Sequence, residues 1–125
     1  MRFMVILKGN ERTERGEMPS RDAIEKMIAF NVEMHQAGVM LGAEGLYPSS
    51  KGKRVKFDGE KRSVTDGPFT EAKELVAGYW LIKANSLDEA IELVARAPIE
   101  GGEEMEVRQV IDPEDFGFDI PPEAT

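Results

Sequence analysis

Two stretches, "FMVIL" at 3–7 and "LVAGYWLI" at 75–82, carry apolar side chains at almost every successive position. Both are strand length. A strand with one solvated face alternates apolar and polar residues, so these runs read as strands buried on both faces. Any fold for this chain must therefore cover both sides of its sheet.

The rest of the chain supplies only part of that cover. Ser20 is a helix N-cap with Asp22 in the first turn. Ala23, Met27, Phe30, Met34 and Ala37 then recur at spacings of three and four, and Gly38 can end the helix. A second helix opens on Ser86 and Glu89, an S-x-x-E capping box, with Leu87, Ala90, Ile91 and Val94 as its stripe and Pro98 as its stop. Val39–Leu46 reads as a strand in which Gly42 and Gly45 weaken the pairing or admit a close neighbour. Arg54–Phe57 and Arg62–Thr65 flank Asp58-Gly59, a hairpin signal. Glu104–Ile111 is the last strand, with Met105, Val107 and Ile111 on one face and Glu106 and Arg108 on the other. "GNERTERGEMP" reads as a polar loop holding Arg12 and Arg15.

The order β-α-β-β-α-β, with a hairpin and a short helical turn inserted before Leu75, is the ferredoxin-like split βαβ plan of the α+β class. It predicts one domain over 1–112 and an acidic tail over 113–125. Two helices cover one sheet face. The simplest cover for the other is a second copy related by two-fold symmetry, so the expectation is a homodimer with sheets face to face.

Charge and rare residues exclude several functions. The formal net charge is -8, which disfavours nucleic acid and anionic membranes as partners. No cysteine is present, and His35 is the single histidine. Thiolate chemistry and multi-histidine metal sites are excluded, and with no phosphate-binding glycine loop no cofactor is expected. The N-terminal apolar run is too short for a signal peptide core, so a cytoplasmic protein is expected.

Chemistry centres on "SVTDGPFTEAKELVAGYW" at 63–80. Turn chemistry alone accounts for Asp66, Gly67 and Pro68, with Phe69 plugging the core and Thr70 capping a turn. The other reading makes Asp66 a general base held rigid by that turn. Arg108 reads either as a same-face ion-pair partner of Glu106 or as a binder of substrate carboxylate. Glu44, Glu71 and Lys73 complete the candidate site. His35 reads as a surface residue on the helix flank.

The same stretch, with "AGVMLGAEGLYPSS" upstream and "EVRQVIDPEDFGF" downstream, resembles the DGPF-motif proteins of the YCII-related family, from Met1 to about Phe118. The resemblance implies a dimeric ferredoxin-like α+β barrel of bacterial origin. Some such proteins are associated with sigma-factor genes, and a few relatives act on chlorinated muconolactones. Other YCII-type proteins pair an Asp with a His on the first helix. That His aligns with Phe30 here, so the dyad does not carry over and Asp66 is left as the candidate. The motif's terminal Glu-Val-Arg-Pro reads Glu-Val-Arg-Gln at 106–109. Two functions follow as expectations. One is binding or transformation of a small carboxylate- or lactone-like molecule between the dimer's sheets. The other is a non-catalytic dimeric interaction module, associated with transcription regulation.

Overall fold

The computed structural model describes residues 1–71 and 74–124. Six strands and three α-helices are present among them, besides short 3-10 turns: β1 (Arg2–Lys8), α1 (Glu11–Glu14), α2 (Arg21–Gln36), β2 (Met40–Gly45), β3 (Lys53–Asp58), β4 (Lys61–Asp66), β5 (Val76–Lys83), α3 (Leu87–Ala95) and β6 (Met105–Gln109). The main sheet is antiparallel in the order β2-β5-β1-β6, and β3 and β4 form a separate hairpin. Two long apolar strands therefore sit at the centre, as the unbroken runs require. This is the ferredoxin-like α+β arrangement.

Register decides which side chains meet the helices. Phe3 pairs with Ile82, Val5 with Trp80 and with Val107, and Leu7 with Met105. Phe3 and Val5 are fully buried, and with Trp80, Ile82, Phe30, Met34, Met40, Ala84 and Ala90 they form the core. Phe30 and Trp80 pack with ring centroids 5.6 Å apart. The alternate residues Met4, Ile6, Tyr79 and Leu81 lie on the opposite face, where Met4 stands opposite Arg108 and Ile6 opposite Glu106. No element of the chain forms a second layer there among the described residues.

The caps behave largely as the sequence dictates. The Ser20 hydroxyl accepts from Ala23 N at 3.2 Å, and Gly38 ends α2 with φ 75°. At α3 the cap is one-sided. Ser86 accepts from Glu89 N at 3.1 Å, but the Glu89 carboxylate does not return the bond.

Several expectations are corrected. The polar loop contains α1, started by a capping box in which Asn10 and Thr13 bond each other's backbone. The hairpin turn is Gly59-Glu60 rather than Asp58-Gly59, because Asp58 pairs with Lys61 and Gly59 supplies φ 61°. Around the β2 glycines the expectation holds in part: the β2–β5 register shifts between Met40 and Gly42, and the residue that needs the space beside Gly45 is Gly78, where a Cβ would lie 2.9 Å from the Glu44 carbonyl oxygen and 3.4 Å from Gly45 Cα. Ile111 falls beyond the end of β6 and is exposed. Phe69 does not plug the core. It is half-buried under the Arg54 guanidinium, 3.8 Å from its ring centroid.

Candidate functional site

Beneath the first half of α2 lies a cavity of about 430 Å³, within the usual range for small-molecule sites. It forms because side chains are short where helix and sheet face each other: Ala23 on α2, Ala43 and Gly45 on β2, Ala77 and Gly78 on β5. Met27, Ile24, Trp80 and Met105 furnish apolar walls. Thioether side chains adapt to irregular occupants, and an indole offers a stacking surface.

The polar groups of this cavity are few. Asn31 lines it, and its Oδ1 is buried with no hydrogen-bond partner. A buried acceptor left unpaired costs about 1–3 kcal/mol, so a donor delivered to that point would recover the deficit. Glu100 and Glu103 form the rim with Pro98 and Ile99. Glu103 is only 16% exposed and accepts from Asn10 Nδ2 and Arg12 Nη2, each at 3.1 Å. Arg12 also reaches Glu100 at 3.7 Å. The start of α1 is thus fastened to the cavity rim. Arg12 is part of this rim and not a free loop cation, whereas Arg15 pairs with Glu17.

The DGPF corner stands at the same end of the sheet, just before β5. Gly67 N donates to the Gly52 carbonyl, and Phe69 N donates to Ser49 Oγ. Ser49 in turn bonds Glu14 on α1 through both its backbone N–H and its hydroxyl. A Cβ at Gly67 would lie 1.8 Å from the Ser49 carbonyl oxygen, so only glycine fits. The Gly67-Pro68 peptide is cis.

The residues singled out in the sequence are dispersed. Asp66 ends β4 opposite Lys53, with Nζ–Oδ1 3.1 Å and the Asp66 side chain 77% exposed. Arg108 lies on the open sheet face, 73% exposed, with Nε 3.9 Å from Glu106. Glu106 also lies 3.7 Å from Lys8 Nζ. Glu71 is exposed. Among the described residues of the set only Glu44 lines the cavity, through its backbone, because it pairs with Tyr79 and its side chain takes the open face. Lys73 and the middle of the expected helical turn lie outside the described residues. His35 is exposed in the last turn of α2. Asn31, Trp80 and Glu103 are the residues that sequence reasoning did not reach. A signal existed for Asn31: four residues after Met27 and three before Met34, it puts an amide inside an apolar stripe.

An uncharacterised protein of Rhizobium meliloti (strain 1021) is 35% identical over 57 residues, a match that spans 46% of each chain. The chain thus covers about half the length of that relative. Among solved structures, 5-chloro-2-hydroxyhydroquinone dehydrochlorinase from Burkholderia phenoliruptrix, in complex with 2,5-dihydroxybenzoquinone, is similar with a TM-score of 0.48 and 13% identity, over 91% of this chain and 97% of that one. No helix among the described residues is long and apolar enough to cross a membrane. Residues 1–114 match the YCII-related domain, and the chain belongs to that family.

Proposed function

We propose that this protein binds a small, mainly apolar organic molecule bearing a hydroxyl or other neutral donor, in the cavity beneath α2. The observation that carries the reading is the buried, unpartnered Asn31 Oδ1 in an otherwise apolar wall. Such a wall holds the body of the ligand by burial, and one polar group fixes its orientation. The rim carboxylates of Glu100 and Glu103 outnumber the Arg12 guanidinium they share and disfavour an anionic ligand there.

Trp80 is the single tryptophan and lines the cavity, so its emission reports occupancy. Titration with para-ethylphenol and with ethylbenzene tests the reading. The phenol is expected to bind roughly tenfold more tightly, the worth of one neutral hydrogen bond to a buried group. Asn31→Leu is expected to erase that preference. Equal affinity of the wild type for the two probes would refute the role of Asn31.

A second reading places a carboxylate- or lactone-like molecule on the open sheet face, with Arg108 as its anchor. One observation favours it. The guanidinium of Arg108 touches only one oxygen of Glu106, at 3.9 Å, and leaves its paired N–H groups for a carboxylate. Asp66, exposed and paired with Lys53 in the separate hairpin, does not join Arg108 on this face. This reading uses the homodimer, in which a second sheet closes the apolar face of Met4, Ile6, Tyr79 and Leu81. Benzoate binding that is lost in Arg108→Gln, and unchanged in Asn31→Leu, would favour the second site over the first.

A further inference from the structure

We infer that the β3–β4 hairpin is an arm that docks on the C-terminal segment of a second copy of this chain. The inference rests on the homodimer of the second reading and not on either ligand.

Every residue of β3 and β4 is exposed. A two-stranded hairpin is marginally stable by itself in water and needs a surface to pack against. Register sorts its side chains. Val55 stands opposite Val64 and Phe57 opposite Arg62 on one face, while Arg54, Lys56 and Ser63 share the other. The first face is therefore a patch of Val55, Val64 and Phe57, the last 69% exposed, with the Arg62 guanidinium 4.5 Å from the Phe57 ring centroid.

Charge identifies the occupant. The hairpin carries Lys53, Arg54, Lys56, Lys61 and Arg62 against Asp58, Glu60 and Asp66, so it is net basic in a chain of net charge -8. The segment from Ile111 onward has no basic residue. It holds Glu114, Asp115, Asp119 and Glu123 beside Phe116 and Phe118, the latter 68% exposed. The two phenyl rings lie 6.3 Å apart and form one apolar patch. An exposed basic-and-apolar arm and an exposed acidic-and-aromatic segment are complementary in both terms, and both are uncovered in the single chain. Opposite potentials would steer the encounter, and the aromatic patch would bury against the valines.

Cross-linking tests the pairing. Unlabelled and heavy-nitrogen-labelled full-length chains are mixed, co-refolded and checked for hybrid dimers by native mass spectrometry. Zero-length carbodiimide coupling then joins amines to carboxylates in contact. The expected products join Lys53 of one isotope, the lysine on the face of Val55, Val64 and Phe57, to Glu114, Asp115 or Asp119 of the other. Links found only within one isotope would mean that the tail covers its own hairpin, and would overturn the inference. A dimer without hairpin-to-tail links would overturn it while leaving the sheet-to-sheet dimer standing, and a monomer would overturn both.

A charge exchange gives an independent readout. Lys53→Glu with Arg62→Glu, the cations on the patch face, should weaken the dimer roughly tenfold, and adding Glu114→Lys with Asp119→Lys should restore it. Failure of the second pair to restore affinity would count against the contact.

Discussion

At the scale of single residues, the DGPF corner and the cavity make opposite demands. Gly67 is required by space: its missing Cβ leaves room for the Ser49 carbonyl. Gly67→Ala should destabilise the fold by about 1–3 kcal/mol or more, as overpacking does. Gly42→Ala, where nothing lies within 4 Å, should change stability by less than about 0.5 kcal/mol. Urea denaturation of the two variants checks the contrast. Asn31 is the reverse case, a residue whose presence costs stability. Asn31→Leu should raise the unfolding free energy of the ligand-free protein by about 1 kcal/mol, because it removes an unsatisfied buried acceptor. An increase in stability coupled to loss of the phenol preference is the expected pattern for a binding residue.

At the scale of elements, stability should be unevenly spread. Ser86→Ala removes the sole side-chain cap of α3 and should cost about 1 kcal/mol in thermal unfolding. Hydrogen exchange should be slowest in β1 and β5, which pair on both sides, and much faster in β3 and β4. Dimer formation should slow the hairpin amides selectively if the arm docks in trans. These elements were legible in the sequence to different degrees. The central strands announced themselves through unbroken apolar runs, and α2 and α3 through caps and stripes. α1 did not, because four residues are too few to show a period, and only the Asn10/Thr13 box marks its start. The cavity was hidden for another reason. It is made by the coincidence of Ala23, Ala43, Ala77 and Gly78 across three elements, and each of these residues is unremarkable in its own strand or helix. The rim contact between Arg12 and Glu103 joins residues from opposite ends of the chain, which no local pattern reveals.

At the scale of the whole molecule, one side of the sheet is closed by helices and the other presents Met4, Ile6, Tyr79 and Leu81. Sedimentation equilibrium should therefore return about twice the 13.9 kDa chain mass, and Leu81→Glu should shift the population toward a single chain. The attachment of α2 is asymmetric in a way that bears on entry to the cavity. Phe30 and Met34 anchor its second half in the core, and Glu33 is held by Arg96 at 2.9 Å across to the end of α3. Its first half bridges empty volume instead. The helix is built as a cantilever, clamped from Met27 to its C-terminal end and held over open volume before that. The residues ahead of that clamp, from Arg21 to about Lys26, should loosen first, and their amides should gain protection when the space below them is filled.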